Sequence, residues 1–366
     1  MDFQRLGERF GISGRLAGWQ EICAGNINRT YEVTFESPEG GARDKYTFQR
    51  INTYVFKNPE DVMHNILAVT EHIKHKLLEE YGSYDRRVLS FLTAENGTPY
   101  LYTNDRDFWR VYRFVDDAKA YDIIEKPIHF YEAGRAFGEF QGWLSDFPVD
   151  VLVETIPQFH NTVRRMQDFR RAVQEDKAGR RGTVEREITF LLEREIEAGT
   201  IVGLLEAGAI PYRVTHNDTK INNILFDAES DKALCVIDLD TVMPGTSIYD
   251  FGDAVRSGAS TAREDEEDLS KVHFDLSMFE RFTRGFLEET KGLLTAEEIR
   301  LLPLGAKIIT LELASRFLAD YLDGDIYFKI SRPDHNLVRA RNQIRLAQEM
   351  EAVFPEMEDI VRRYGS

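Results

Sequence analysis

Residues 215–240 combine a polar loop with two short apolar runs, and the second run ends in acidic side chains. The loop carries His216, Asp218 and Asn223 in an H-x-D-x-x-x-x-N pattern. Asp238 ends the second apolar run 20 residues beyond Asp218, which leaves room for one tight hairpin between the loop and this run. The pattern therefore predicts a compact β unit that presents two carboxylates and one amide.

Phosphoryl transfer depends on groups of the kind that this pattern supplies. A carboxylate must orient the acceptor hydroxyl and accept its proton, and we predict this role for Asp218. Carboxylate and amide oxygens suit Mg²⁺, so Asn223 and Asp238 are the predicted metal ligands. We interpret His216 as a side chain that braces the loop rather than one that carries a proton. Lys220 is either a solvent-facing lysine or a cation that neutralises the transferred phosphoryl group, and we favour the second role.

A literal Asp-Phe-Gly triplet stands at residues 250–252 and resembles the metal-binding motif of protein kinases. It lies 32 residues beyond Asp218 and does not follow directly on an apolar β run. Asp250 is therefore interpreted as an acid that orients the catalytic loop, with a direct metal role as the alternative.

Charge and hydropathy exclude several classes of partner. The chain has 366 residues and a formal net charge of −17, which disfavours nucleic acid and anionic membrane surfaces as partners. No apolar run approaches the ~20 residues of a membrane span, and the first residues do not resemble a secretory signal. Two cysteines, Cys23 and Cys235, make no disulfide framework. We expect a cytoplasmic monomer.

Two lobes of different class are predicted. Residues 1–115 are rich in short β-type runs, whereas residues 116–366 are mainly helical in pattern apart from the β unit. The fold class is then α+β, with a small β-rich N-terminal lobe and a larger, mainly helical C-terminal lobe. A cleft between such lobes is a natural ligand site.

The element predictions are specific enough to be compared with the structure. Strands are expected at residues 22–35 (a hairpin), 45–51, 88–92, 99–103 and 109–115. Helices are expected at residues 59–81, 128–144, 162–176, 184–198, 279–288, 297–322 and 336–353. We expect Pro303 and Gly305 to interrupt the helix over 297–322.

At residues 215–240 the chain resembles the aminoglycoside phosphotransferase and choline kinase superfamily, which shares the protein-kinase-like two-lobe fold. Further stretches are similar to the N-acetylhexosamine 1-kinases in particular, namely residues 235–245, 249–253, 258–262, 268–274 and 316–328. The similarity runs over nearly the whole chain, including residues 25–31 and 109–114.

The resemblance implies a specific reaction. The γ-phosphate of ATP would pass to the anomeric hydroxyl of N-acetylglucosamine or N-acetylgalactosamine, giving the α-sugar 1-phosphate. Carried over by position, Asp218 is the base, and Asn223 and Asp238 hold Mg²⁺. Arg316 and Tyr327 hold the sugar, roles that suit a planar hydrogen-bonding fork and an aromatic face.

The nucleotide site is expected to depart from the superfamily pattern. The superfamily usually places a lysine on the third strand, whereas this chain has Gln49 and Arg50 there. Strand register decides which of the two contacts phosphate. A short loop with Gly25, Asn26 and Asn28 is expected to cover the phosphates with backbone N–H groups.

The adenine and the sugar add further expected contacts. Adenine is expected to dock on the segment that contains Phe114 and Val115, an inference from fold alone. Asn26 and Ser257 are assigned to the sugar site because they stand where close relatives have His and Phe. Loss of a ring at position 257 would enlarge the pocket, so the sugar preference stays open.

Two alternatives stay open at this point. The chain could be another kinase of the superfamily, acting on choline, homoserine or an aminoglycoside, or a catalytically inactive nucleotide-binding module. A metallohydrolase is disfavoured because the sequence has no H-E-x-x-H motif and no Cys/His cluster.

Overall fold

The computed structural model describes residues 1–22, 27–103 and 107–365. It divides into two compact units, each discontinuous in sequence. The sheet unit comprises Met1–Asp122, Asp146–Ile156 and Ile224–Met243, and the helical unit comprises Ile123–Ser145, Pro157–Asn223 and Pro244–Ser366. The lobe boundary expected between residues 115 and 116 stays a prediction.

Strands and helices are numbered in chain order. The strands are β1 (Arg15–Ile22), β2 (Arg29–Glu36), β3 (Arg43–Ile51), β4 (Tyr100–Thr103), β5 (Asp107–Arg113), β6 (Ala118–Lys119), β7 (Arg213–Thr215), β8 (Ile224–Asp227), β9 (Ala233–Val236) and β10 (Met243–Gly245). The helices are α1 (Phe3–Arg9), α2 (Pro59–Tyr81), α3 (Pro127–Trp143), α4 (Thr162–Glu175), α5 (Glu185–Leu192), α6 (Glu195–Ala198), α7 (Thr200–Glu206), α8 (Ser247–Gly258), α9 (Leu276–Glu289), α10 (Ala296–Asp323), α11 (His335–Ala352) and α12 (Phe354–Tyr364).

An antiparallel sheet in the order β1-β2-β3-β5-β4 forms the centre of the sheet unit. Alternate residues of β2, namely Tyr31, Val33 and Phe35, are buried on one face, as expected for a strand with one covered side. This face packs against Phe3 of α1 and against Trp109 of β5. A second sheet in the order β6-β8-β9 belongs to the same unit.

The other face of the main sheet carries polar side chains and lies against α2. Gln49 of β3 is directly opposite Arg110 of β5 in the antiparallel register, so both side chains are on this face. The Arg110 Nη1 atom lies 3.8 Å from the Sδ atom of Met63 on α2. Arg110 on this face is thus in contact with α2.

Helix α2 has the bounds that its sequence predicts. Pro59 occupies the first turn, where its missing N–H is not needed, and Glu60 and Asp61 lie at the positive end of the helix dipole. Gly82 ends the helix in the left-handed conformation at φ 70°, and its N–H donates to the Leu78 carbonyl.

The helical unit is built around α10, which is buried along most of its length. Helix α10 packs against α4, α8 and α11, and α3 packs against α9. The predicted interruption at Pro303 and Gly305 is wrong, because α10 runs continuously from Ala296 to Asp323. Both residues are buried in the core, and tertiary packing of this kind supplies most of the stability of a helix in a protein.

Other element predictions also need correction. Residues 88–92 form no strand, and only one isolated bridge joins Phe91 to Tyr112. The helix expected over 184–198 is divided into α5 and α6, and α8 was not predicted at all. The α+β class, with a small antiparallel sheet and a larger helical part, is confirmed. None of the helices in the described ranges is long and apolar enough to cross a membrane.

Candidate active site

The loop that follows β7 is held in place by helix α8. The backbone N–H groups of His216 and Asn217 each donate to the Asp250 carboxylate at 2.8 Å. The Thr219 hydroxyl donates to the Asp250 carbonyl at 2.5 Å, and the Thr219 N–H donates to Asp253 at 3.1 Å. Asp250 therefore orients the loop through its backbone, and burial raises the pKa of this carboxyl to about 6.

The His216 ring lies inside the helical unit. It makes edge contacts with the rings of Phe137 and Phe140, at centroid distances of 5.7 and 6.0 Å. Its Nδ1 atom accepts the Asp218 N–H at 3.3 Å. Both contacts support the interpretation of His216 as a residue that braces the loop.

The Asp218 carboxylate is paired with both polar neighbours that the sequence singled out. Lys220 Nζ lies 2.8 Å from one carboxylate oxygen, and the Asn223 side-chain amide donates to the other at 3.2 Å. Burial by itself would raise the pKa of Asp218, but the Lys220 ammonium, His216 and the Asn223 amide together hold it below the usual value. The side chain keeps 31% exposure, so a charged oxygen is accessible to a ligand.

Asn223 has its amide nitrogen and amide oxygen in different surroundings. The nitrogen donates to the Asp218 carbonyl at 2.8 Å as well as to the Asp218 carboxylate. Within the described ranges the oxygen accepts no hydrogen bond, although the side chain is buried. An amide oxygen in this state fits the predicted role as a ligand of a hard cation.

Asp238 belongs to the sheet unit. It follows β9, has a left-handed backbone conformation at φ 58°, and precedes a 3₁₀ turn over Leu239–Thr241. The structure thus groups Asp218, Lys220 and Asn223 in the helical unit, whereas Asp238 is in the other unit.

Arg110 was not predicted as a site residue. Its Nη1 atom forms an ion pair with Asp240 at an N–O distance of 2.5 Å, and both side chains are almost completely buried. The Asn28 amide also donates to Asp240, at 2.5 Å. The sequence signal for Arg110 is a charged residue within the otherwise apolar run 108–112, and it was not used in the prediction.

The two candidates on the third strand make different contacts. The Gln49 oxygen accepts from Arg110 Nε at 2.9 Å, and the Gln49 amide donates to Thr30 at 3.0 Å. Arg50 pairs with Asp107 at 3.4 Å. Gln49 is therefore on the face of the sheet that contacts Asp240 through Arg110, whereas Arg50 is on the opposite face.

An aromatic cluster in the helical unit surrounds Arg316 of α10. Its guanidinium lies over the rings of Phe159, Tyr327 and Phe328, at 5.7, 5.9 and 5.6 Å from their centroids. The expected pair of Arg316 and Tyr327 is thus adjacent. Glu312, one turn earlier on α10, lies 3.4 Å from the Arg316 guanidinium.

Tyr327 is exposed but sits on an ordered backbone. Its residue exposure is 70%. The N–H groups of Ile326, Tyr327 and Phe328 all donate to the Asp320 carboxylate, at 2.9, 2.8 and 2.9 Å. Asn336 donates to the same carboxylate at 2.8 Å. An exposed ring on a fixed loop is a suitable surface for a ligand to stack on.

His160 connects this cluster to the catalytic loop and was not predicted from sequence. Its Nδ1 atom lies 3.0 Å from Glu312, and its Nε2 atom lies 3.2 Å from the Asn217 carbonyl. Burial by itself would lower the pKa of His160, but the Glu312 carboxylate raises it. The imidazolium form can donate at both nitrogens and so satisfies both contacts.

The remaining predicted residues have mainly local contacts. The Ser257 hydroxyl donates to the Ala254 carbonyl of its own helix at 3.1 Å. Phe114 donates its N–H to the Lys45 carbonyl at 3.1 Å, and its ring lies 5.2 Å from the Lys45 ammonium. Val115 is half-buried. Gly25 and Asn26 lie outside the described residues.

Comparison with known proteins identifies the family of the chain. The family described as "Phosphotransferase enzyme family" matches residues 18–287, which is more than half of the chain. A microcompartment-associated aminopropanol kinase is 15% identical, with a TM-score of 0.60 over 97% of this chain and 98% of the other. An aminoglycoside phosphotransferase from Alicyclobacillus acidocaldarius is 14% identical, with a TM-score of 0.61 and coverages of 98% and 96%.

A choline kinase from Cryptosporidium parvum is also similar. It is 13% identical, with a TM-score of 0.52 over 94% of this chain and 92% of the other. At such identities the likeness is one of fold. The named acceptors of these three proteins differ from one another, so the fold by itself does not identify an acceptor.

Proposed function

Because the chain belongs to the phosphotransferase enzyme family, we propose that it transfers the γ-phosphate of ATP to the C1 hydroxyl of an N-acetylhexosamine. The observation that carries the phosphotransfer part is the Asp218 carboxylate. It is ionised, accessible, and fixed on a loop whose backbone is held by Asp250.

Each residue of the loop has a defined part in the proposed reaction. Asp218 accepts a hydrogen bond from the acceptor hydroxyl and takes its proton as the oxygen attacks phosphorus. Lys220, which now pairs with Asp218, offers its ammonium to the charge on the transferred phosphoryl group. Asn223 holds the Asp218 carboxylate in position through its amide nitrogen.

The donor set fits a magnesium ion. The Asn223 amide oxygen and the Asp238 carboxylate would hold it together with phosphate oxygens and water. When bound, Mg²⁺ would neutralise charge on the β- and γ-phosphates.

The charge of the Arg316 cluster supports a neutral acceptor. His160, Arg165 and Arg316 all lie within 4 Å of the single carboxylate Glu312. A cationic acceptor such as choline would meet an excess of positive charge here. The Arg316 fork and the Tyr327 ring instead supply hydrogen bonds and a flat face for a sugar.

An acceptor panel tests the proposal. ADP release with ATP and Mg²⁺ would be measured for N-acetylglucosamine, N-acetylgalactosamine, glucose, galactose, choline, homoserine and an aminoglycoside. We expect the highest kcat/KM with one of the two N-acetylhexosamines. Preferred turnover of choline or of an aminoglycoside would overturn the acceptor assignment, while leaving the phosphotransferase activity in place.

A further inference from the structure

We propose that Asp240 is a positioning residue for Asp238, fixed by a clamp of Arg110, Asn28 and Asn65 inside the sheet unit. This inference rests on the proposed function in one respect, namely that Asp238 is a ligand of Mg²⁺. It assigns no ligand contact to Asp240 itself.

The first part of the clamp is the ion pair between Arg110 and Asp240. The residues are 2% and 3% exposed, so both charges have been removed from water. The N–O distance is 2.5 Å, and the guanidinium also donates to Gln49 and lies over the Phe91 ring. A buried pair of this kind contributes little net stability compared with apolar residues of the same size, but it fixes geometry.

The second part is Asn28, which immediately precedes β2. Its amide nitrogen donates to Asp240 at 2.5 Å, and its amide oxygen accepts the Asn52 N–H at 3.0 Å. Both polar ends of the side chain are therefore engaged within the unit. Asn28 was expected to contact the nucleotide, and these contacts instead favour a role in holding Asp240.

The third part is Asn65, a buried residue of α2. Its amide nitrogen donates to the Val242 carbonyl at 2.9 Å and to the Val153 carbonyl at 2.7 Å. Its amide oxygen accepts the Val153 N–H at 2.9 Å. The backbone is thus also held at Val242, the residue that directly follows the turn Leu239–Thr241.

Asp238 needs this support because of its backbone. Its φ of 58° is in the left-handed region, which costs a residue with a Cβ atom roughly 1–2 kcal/mol. Such a conformation persists only where the surroundings determine it. Since Asp238 precedes Asp240 by two residues, a turn held at Asp240 and Val242 determines where the Asp238 carboxylate points.

The clamp also accounts for the missing strand lysine. Arg110 of β5 is a buried cation on this face of the sheet, directly opposite Gln49 of β3. Its charge is used on Asp240. The buried guanidinium therefore holds the turn that directly follows the predicted metal ligand Asp238.

The test measures metal binding rather than turnover. Binding of Mn²⁺, used as a paramagnetic substitute for Mg²⁺, would be followed by electron paramagnetic resonance with a non-hydrolysable ATP analogue and no acceptor. Asp240→Asn is expected to weaken Mn²⁺ binding by ~10–100-fold, the usual effect of losing a residue that orients a metal ligand. Its acceptor KM is expected to stay near the wild-type value.

A double variant controls for misfolding of the single variant, because Asp240→Asn leaves Arg110 buried without its counter-charge. Asp240→Asn with Arg110→Gln removes both charges and keeps polar side chains at both positions. We expect this protein to fold, as shown by circular dichroism, and to bind Mn²⁺ as weakly as the single variant. Wild-type Mn²⁺ affinity in the folded double variant would overturn the proposal, as would failure of the double variant to fold.

The matched control is a second buried ion pair, in the helical unit. Arg213 lies 2.6 Å from the buried carboxylate of Glu298. Arg213→Gln with Glu298→Gln should leave Mn²⁺ binding unchanged. An equal loss of Mn²⁺ affinity in this control would show that the Asp240 variants act through general destabilisation, which would contradict the proposal.

Dependence on Asp238 is tested by combining variants. If Asp240 acts through Asp238, adding Asp240→Asn to Asp238→Asn causes no further loss of Mn²⁺ affinity. A further loss of the same size as in the wild-type background would make Asp240 a ligand in its own right and overturn the positioning role.

The outcome is separable from that of the proposed function. Wild-type protein that binds Mn²⁺ with the analogue but phosphorylates no N-acetylhexosamine would refute only the acceptor assignment. Wild-type protein that does not bind Mn²⁺ with the analogue would refute both.

Discussion

Asp218 shows how neighbours decide the chemistry of one residue. Its burial favours the neutral acid, while the Lys220 ammonium at 2.8 Å favours the carboxylate and prevails. A carboxylate with a pKa below its ordinary value stays ionised at neutral pH. In the proposed reaction it would orient the acceptor and receive a proton late, because it is a weak base.

His160 gives a prediction at the same scale. Its pKa is raised by Glu312, so the charged pair stabilises the folded protein fully below the unfolded-state pKa of about 6.5. That stabilisation is lost as the pH rises through the folded-state pKa. Thermal unfolding of wild type and His160→Gln should therefore differ more in Tm at about pH 6 than at about pH 9.

Glu312 does not disturb this test. Its pKa is lowered by His160, Arg316 and Arg165 despite burial, and because both arginines remain in His160→Gln, we expect Glu312 to stay charged across the range in both proteins. The same Tm difference between the two proteins at both pH values would show that His160 is neutral in the folded state.

At the scale of elements, α8 fixes the loop after β7 through the hydrogen bonds of Asp250, and it is itself packed closely on α10. A Cβ atom on Gly252 of α8 would lie 2.7 Å from the Gly305 carbonyl oxygen. Gly252→Ala must therefore push α8 away from α10, together with Asp250 and the loop that it holds.

We expect Gly252→Ala to lower the free energy of unfolding by about 1–3 kcal/mol in urea and to lower kcat as well. Gly203→Ala in α7 is the control, because nothing lies within 4 Å of a Cβ atom there. The control should be neutral or stabilising. Equal effects of the two substitutions would contradict close packing of α8 on α10.

The position of Arg316 on α10 gives a second prediction for this scale. Arg316→Ala removes the fork that the aromatic cluster holds, so the KM for the sugar should rise far more than the KM for ATP. Arg300→Ala is the control, since Arg300 is on the same helix and pairs only locally with Glu297. Equal increases in both KM values for Arg316→Ala would place this residue outside the acceptor site.

What the sequence predicted at this scale depended on local signals. Helix α2 was predicted to the residue because its apolar residues recur at helical spacing and Pro59 marks its start. Helix α8 was missed; it begins two residues after the Pro244-Gly245 pair, a combination that usually marks a turn. The region 88–92 has the apolar residues of a strand but pairs only once, and a single sequence does not reveal pairing partners.

The candidate site was predictable to a similar extent. Asp218 and Asn223 are close in sequence, so their grouping followed from spacing. The contacts of Arg110 with Asp240 and of His160 with Glu312 join residues more than a hundred positions apart. Only the tertiary fold brings such residues together, so a local sequence pattern cannot predict these contacts.

At the scale of the whole molecule, the fold is determined much more strongly than the acceptor. Proteins that are 13–15% identical share it over more than nine-tenths of this chain. Phosphotransfer chemistry follows from the family, whereas we propose that the choice of acceptor depends on few side chains, those around Arg316 and Tyr327.

Phosphorus NMR of the protein incubated with ATP, Mg²⁺ and N-acetylglucosamine or N-acetylgalactosamine tests the central claim most directly. The account predicts a new phosphomonoester signal, coupled to the anomeric proton, that grows as ATP is converted to ADP. With Asp218→Asn it should grow at least ~10²-fold more slowly, although calorimetry shows ATP binding near wild type. Absence of any phosphorylated sugar with wild-type protein, or an undiminished rate with Asp218→Asn, would contradict the account.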